Sequence, residues 1–238
     1  MNKLVLIFPF FLISSLHAET LAQFEKKLIK QYEQKEFYEV NQEIESAVVV
    51  KIKQDPTSFD YNFPNIQDAY SLRIHFSPDK KLKFYTFDVG SGGTMGEHSS
   101  YVQSNNKGKS ILTPIETGFI LDVKQTVFAQ EAVYLAENYY KASSCMGAYA
   151  INAFKPTTNG SIQAVKIFQT KKTKLDNISV DYDCHDDNEK GDVPDYIRVD
   201  KNLKNIDIML LDQAYKPQGK YLRYVKTNSA YQYSGVVK

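Results

Sequence analysis

The sequence predicts a mainly β protein with an N-terminal amphipathic helix. Apolar and polar residues alternate with a period of two through most of the chain after residue 70. Turn signals such as Asn159-Gly160 separate the runs at the spacing of antiparallel meanders rather than of β-α-β units. The chain has 17 tyrosines and 14 phenylalanines, which suit pleated, half-buried surfaces, and no tryptophan. We therefore expect an antiparallel meander, a sandwich or a strongly curved sheet, with a small propeller as the alternative.

Residues 1–18 have the pattern of a secretion signal. Lys3 provides a short positive start, residues 4–13 are apolar apart from Pro9, and Ala18 is a small residue suited to cleavage. The apolar run is about half of the roughly 20 residues that a membrane-spanning helix needs. We predict cleavage near Ala18, a periplasmic or secreted protein, and no membrane span in the mature chain.

The charge balance argues against a nucleic-acid partner. The whole chain carries a formal charge of +1, which falls to zero when Lys3 is removed with the signal. A protein that binds phosphate backbones normally concentrates basic residues on one face. The run of residues 171–174, KKTK, is more simply interpreted as a solvated loop or strand end.

Residues 19–55 form the predicted helical segment. Thr20 is a suitable N-cap, and apolar residues from Leu21 to Val48 recur at steps of three and four, which is typical of one or two amphipathic helices. Asp55-Pro56 ends the segment. We expect its apolar face to pack on a sheet formed by residues 56–238, the two parts together making one domain.

Residues 71–88 predict a β-hairpin. Leu72, Ile74 and Phe76 alternate before Pro78-Asp79, which provides turn chemistry. Leu82 and Phe84 then alternate after the turn. We expect these apolar side chains to share one face, and His75, which alternates with them, to face solvent.

Further strands are predicted from the same period of two, with turns between them. The expected ranges are 110–115, 118–128, 132–140, 146–155, 161–169, 177–183, 195–200, 205–211, 220–226 and 229–237.

The hairpin and the glycine-rich segment after it carry a resemblance. The residues of SPDxKLxxYTFDxGxGGTM, from Ser77 to Met95, are similar to a segment of exported, uncharacterised β-rich proteins of Gram-negative bacteria. In those proteins an N-terminal helix precedes a β-rich body. The resemblance implies the fold and export, and no named activity.

The glycine-rich segment is the first candidate site, because loops held by a rigid hairpin often carry function. Its glycines can adopt backbone conformations closed to other residues, which brings amides close to a ligand. His98 follows Glu97, so a general base beside glycine amides acting as oxyanion donors is one possible design. No nucleophile motif accompanies it, and Glu97 and His98 are therefore weak catalytic candidates. The predicted binding loop comprises Gly90, Gly92, Gly93, Thr94, Glu97 and His98.

The second candidate site is the acidic run of residues 181–195, which is rich in the oxygen ligands that calcium prefers. The spacing is not that of an EF-hand, because Lys190 occupies a ligand position before Gly191. Asp186, Asn188 and Asp192 are thus weak calcium candidates, and a solvated loop is the simpler interpretation. We predict no other cofactor.

Cys145 and Cys184 are the only two cysteines. An exported chain meets an oxidising compartment, so the pair is predicted to form a disulfide. Closing a loop of this length stabilises a fold by on the order of 4 kcal/mol in the chain-entropy model. Two buried free thiols are the alternative.

Three functional hypotheses follow. The first is a non-enzymatic periplasmic or secreted protein that binds another envelope or secreted protein, as an inhibitor, immunity protein or accessory factor would. It is favoured because the chain has neither a nucleophile motif nor a cofactor fingerprint. The second is a hydrolase that uses Glu97 and His98 at the glycine loop. The third is a glycan-binding module that uses exposed tyrosines.

Overall fold

The computed structural model describes residues 19–106, 108–183 and 195–238. The structure is mainly β: 48% of the described residues lie in strands and 19% in helices. The sheets are chiefly antiparallel, and one of them curls strongly into a half-barrel. The predicted signal segment, the calcium candidates Asp186, Asn188 and Asp192, and Cys184 lie outside the described residues.

Three α-helices precede the strands. They are α1 (Leu21–Tyr32), α2 (Phe37–Gln54) and α3 (Pro64–Ala69), with a 3-10 helix at Pro56–Phe59 between α2 and α3. Thr20 begins α1 in a capping box, accepting from the Gln23 amide while the Gln23 side chain accepts from the Thr20 amide. The expected helical segment is therefore two helices, because the polar residues 33–36 interrupt the apolar stripe. No described helix is long and apolar enough to cross a bilayer.

Fifteen strands are present in the described residues. They are β1 (Arg73–Phe76), β2 (Leu82–Asp88), β3 (His98–Asn106), β4 (Lys109–Ile115), β5 (Phe119–Phe128), β6 (Glu131–Lys141), β7 (Met146–Pro156), β8 (Ile162–Ala164), β9 (Phe168–Gln169), β10 (Lys174–Leu175), β11 (Asn177–Asp183), β12 (Ile197–Val199), β13 (Asn205–Leu211), β14 (Pro217–Lys226) and β15 (Tyr231–Val237).

The strands form three sheets, which we name A, B and C. Sheet A has the order β1-β2-β3-β4. Sheet B has the order β11-β7-β6-β5, with β8 paired to β7. Sheet C has the order β10-β9-β15-β14-β13-β12. Within sheet C, β15 pairs with β9 in parallel, so this sheet is not a simple meander.

Three apolar cores join the helices and sheets as successive layers. The first lies between the helices and sheet A and includes Ile44 and Tyr85. The second joins Phe84 of sheet A to Tyr134 of sheet B. The third joins Leu135 of sheet B to sheet C. Since neighbouring residues of a strand point to opposite faces, sheets A and B are each covered on both sides.

The predicted hairpin is confirmed, but its faces were assigned wrongly. Ile74 lies opposite Tyr85, and His75 lies opposite Phe84. Directly opposed residues share a face, so Ile74 points to the helices while Phe84 points to sheet B. The same register turns His75 towards sheet B, where its Nε2 lies 3.1 Å from the Ile120 carbonyl oxygen. His75 is therefore half-buried rather than exposed.

Two further expectations on strands were wrong. No strand was predicted between residues 89 and 109, yet His98–Asn106 form β3, whose many polar side chains hide its alternation. The predicted strand 161–169 is broken into β8, which pairs with sheet B, and β9, which belongs to sheet C.

Lys83 is fully buried between the helices and sheet A. Its Nζ donates to the Ser58 carbonyl at 3.0 Å and also to the Tyr61 carbonyl. Burial lowers the pKa of Lys83 to about 7, opposed by the charge of Asp60. Three aromatic rings have their centroids 5.1 to 5.6 Å from the ammonium: Phe63, Phe76 and Tyr85.

Glu25 is the second fully buried charged side chain. Its carboxylate accepts from the backbone amides of Asn65 and Ile66, each at 3.1 Å, and from the Asn65 side chain at 3.2 Å. The Tyr61 hydroxyl also donates to it. Burial and this contact raise the pKa of Tyr61 to about 12. Tyr61 thus links Glu25, through its hydroxyl, to Lys83, through its carbonyl.

Candidate functional site

The candidate binding loop, residues 89–97, connects β2 to β3 and is held at its base by α2. The Asn41 side chain is buried and donates to the Gly90 carbonyl at 2.7 Å. The Gln42 side chain donates to the Val89 carbonyl at 3.2 Å. The loop is closed by a 2.9 Å hydrogen bond from the Val89 amide to the Glu97 carbonyl.

Sheet B holds the other side of the loop. The Gly96 amide donates to the carbonyl of Lys141, at the end of β6, at 2.9 Å. A side chain at Gly96 would lie 3.0 Å from His98 and 3.1 Å from Lys141, so the close approach suits glycine. The loop is thereby fixed to the helical layer and to sheet B at once.

The tip of the loop is exposed. Gly92 and Gly93 have φ of 88° and 98°, a region that favours glycine. The next apolar residue, Met95, is 64% exposed. Tyr38 of α2 is 54% exposed, and its ring lies beside Gly92. We name this surface, made of residues 91–95 and Tyr38, the loop surface.

Glu97 and His98, the weak catalytic candidates, are not hydrogen-bonded to each other. Glu97 is exposed, and within the described residues no hydrogen bond links its carboxylate to the His98 ring. The His98 ring instead lies against Phe119 and Tyr139, with centroids 5.5 and 6.3 Å apart. Burial lowers the pKa of His98, and the charge of Asp88 partly opposes the shift.

The amide of Gly90, which was expected to be an oxyanion donor, and the amide of Gly96 are already hydrogen-bonded. The Gly90 amide donates to Asp88 Oδ1 at 3.0 Å, and the Gly96 amide donates to the Lys141 carbonyl. The glycine conformations therefore shape the loop and its contacts with neighbouring layers. In this geometry the hydrogens of both amides already have an acceptor within the protein, so neither is free to donate to an oxyanion.

An aromatic row starts at His98 and was not foreseen from the sequence. Tyr139 of β6 lies opposite Phe119 of β5 and opposite Tyr149 of β7. The Tyr149 ring stacks on Tyr196 with a centroid separation of 5.3 Å. Cross-strand aromatic pairs of this kind stabilise a sheet. The alternation with a period of two shows that these aromatic residues lie in strands, but only the strand register shows which of them contact each other.

The predicted metal and disulfide sites fall largely outside the described residues. Among the residues described, no group of three His, Cys, Asp or Glu side chains is arranged to hold a metal. Cys145 lies just before β7, and the pairing of β7 with β11 sets Met146 opposite Asp183. The sequence neighbours of the two cysteines are thus paired, and the disulfide stays a prediction.

Removing the Asn41 side chain is expected to loosen the loop without unfolding the protein. Asn41→Ala leaves the buried Gly90 carbonyl without its donor, so hydrogen exchange of the Val89 and Gly96 amides should become roughly tenfold faster. Native-state exchange measured by NMR tests this expectation. Glu43→Ala, an exposed change on the same helix, is the control. Unchanged exchange in Asn41→Ala would show that the loop is held by other contacts.

Comparison with family models, curated proteins and solved structures finds nothing that matches this chain.

Proposed function

We propose that this chain is an exported, non-enzymatic binding protein that holds another envelope or secreted protein at the loop surface. The observation that carries the proposal is that Met95 is exposed on a loop hydrogen-bonded to two layers of the fold, with the exposed Tyr38 of α2 beside that loop. Methionine and tyrosine are enriched at protein interfaces. A loop that is already ordered loses little conformational entropy when it binds, which favours affinity.

Export is supported by the pattern of residues 1–18 and by the resemblance of Ser77 to Met95 to exported proteins. The proposed disulfide between Cys145 and Cys184 agrees with an oxidising compartment. Within the described residues, Gly96 contacts Lys141 at the end of β6, and Cys145 directly precedes β7.

The hydrolase remains the second hypothesis. It is supported by the lowered pKa of His98, because a neutral imidazole near pH 7 can accept a proton. The engaged amides of Gly90 and Gly96 count against it. Turnover that is lost in His98→Ala and kept in His75→Ala would favour it over the binding role.

Site-specific photocrosslinking tests the binding role. A benzophenone amino acid placed at Met95 or at Tyr38, in the exporting cell, should capture the same partner at both positions. Matched controls are Val127 and Val236, which are also exposed apolar residues but lie on β5 and β15. Met95→Glu should weaken capture from Tyr38, because a charge in the centre of an apolar contact is costly. Capture of the same set of proteins from Val236 would overturn the proposal.

A further inference from the structure

A cavity of about 370 Å³ opens between the end of β4 in sheet A and strands of sheet B. Its volume lies in the range of small-molecule sites. Glu116 lines one side, and Asn152, Asp176 and Asn177 line the other. None of the residues of the loop surface lines it, so it is a separate site.

Asn152, which lines the cavity, is held in place by the buried Asn138. Asn138 is 1% exposed, and its Nδ2 donates to Asn152 Oδ1 at 2.8 Å. Asn138 Oδ1 accepts from the Gly118 amide at 3.1 Å, which fixes the orientation of its amide. Asn152 Nδ2 in turn donates to the Glu116 carbonyl at 3.3 Å. Since a side-chain amide has two donors and two acceptor positions, Asn152 keeps one of each for a ligand.

The rim adds an aromatic ring and two carboxylates. Tyr140 is 40% exposed and contributes to the lining. Asp176 Oδ1 accepts from the Asn177 side chain at 3.3 Å, which orders both groups. Ile115 and Phe154 supply apolar wall between the polar groups.

The charge of the lining selects against anions. Among the described residues that line the cavity, two are acidic and none is Lys, Arg or His. A phosphate or a nucleotide would meet Glu116 and Asp176 with no cation to offset the repulsion. A ligand with many hydroxyl groups would instead find donors and acceptors in the amides and carboxylates. Its apolar ring faces would match Tyr140 and the apolar wall.

We propose that this cavity binds a neutral saccharide, with Asn152 and Asp176 hydrogen-bonding its hydroxyls and Tyr140 packing on a face of the sugar ring. The Tyr140 ring provides contact area that does not depend on a particular sugar hydroxyl. The fixed Asn152 amide, in contrast, selects one orientation of the sugar ring. This site goes beyond the proposed protein-binding role and does not depend on it.

The test is binding of neutral tetrasaccharides of glucose, mannose and N-acetylglucosamine to the full chain. Saturation-transfer NMR and calorimetry should show saturable binding of at least one of them, and no binding of a sulfated tetrasaccharide. Tyr140→Ala and Asn152→Ala should each weaken that binding by about tenfold. Circular dichroism establishes that each variant is folded.

Tyr215→Ala is the matched control, since Tyr215 is exposed to a similar extent and lies in the turn between β13 and β14. It should leave saccharide binding unchanged, as should Met95→Glu at the loop surface. The proposal is overturned if no neutral tetrasaccharide binds saturably, if Tyr140→Ala binds as tightly as the parent, or if the sulfated saccharide binds equally well. Loss of saccharide binding in Met95→Glu would indicate that the sugar binds at the loop surface, and would overturn the cavity as its binding site.

Discussion

Replacing Glu25 with alanine is expected to destabilise the protein by about 3 kcal/mol or more. The carboxylate is fully buried and accepts hydrogen bonds from Tyr61, Asn65 and Ile66. Removing it leaves several donors without a partner where α1 meets α3, and each buried unsatisfied group costs about 1 to 3 kcal/mol. Urea unfolding followed by far-UV circular dichroism measures the loss, since the chain has no tryptophan to report by fluorescence.

Two variants separate the lost hydrogen bonds from a general helix effect. Glu25→Gln keeps one carbonyl oxygen for the backbone amides of Asn65 and Ile66, so it should lose less stability than the alanine variant. Glu43→Ala removes an exposed glutamate from α2 and should change stability by less than about 0.5 kcal/mol. If Glu25→Ala were as stable as Glu43→Ala, the buried carboxylate would not be holding the two helices together.

The stability of the protein is expected to rise between pH 7 and pH 9.5 because of Lys83. In the folded protein its pKa is lowered to about 7, whereas the unfolded chain keeps the ordinary value of 10.5. Between these values the unfolded state binds more protons, so the free energy of unfolding increases with pH. The full effect of one such group is about 1.4 kcal/mol per pH unit. Below pH 7 both states hold the proton and this dependence ends.

Urea unfolding at intervals of half a pH unit tests this expectation. Lys83→Met removes the titrating group while keeping a long side chain, so its stability should depend much less on pH over the same range. The raised pKa of Tyr61 makes the free energy of unfolding fall above about pH 10, because the unfolded chain then loses a proton that the folded protein keeps. The pH series therefore stops at pH 9.5. Lys81→Met, at an exposed lysine, should retain the rise. Equal slopes in the parent protein and Lys83→Met would show that Lys83 titrates normally when folded.

The sequence predicted the elements better than the surfaces on which they pack. The period of two located most of the strands after residue 70, and the turn chemistry of Pro78-Asp79 located the first hairpin. The alternation of apolar and polar residues could not show that sheets A and B are covered on both sides. Lys83 alternates with Leu82 and Phe84 as a solvent-facing residue would, yet the helices bury it.

Only part of the candidate site could be predicted from the sequence, and the reason is similar. The glycines of residues 90–96 marked a special loop, and the positive φ angles of Gly92 and Gly93 agree with that interpretation. The anchor of the loop at Asn41 and the hydrogen bond from Asn138 to Asn152 beside the cavity depend on contacts between residues far apart in the chain. A polar residue within a helix or strand gives no local signal that it will be buried against a distant backbone group.

The parallel pairing of β15 with β9 has a consequence for how the protein matures. The Tyr231 backbone amide donates to the Ile167 carbonyl at 2.7 Å, and the Tyr231 ring stacks on Phe168. Sheet C therefore cannot join β9 to β14 until residues 231–237, which form β15 between them, are available. If the chain is exported as proposed, amino end first, the helices and sheets A and B can assemble before sheet C is complete. Unpaired strand edges in such a state invite chaperones or aggregation.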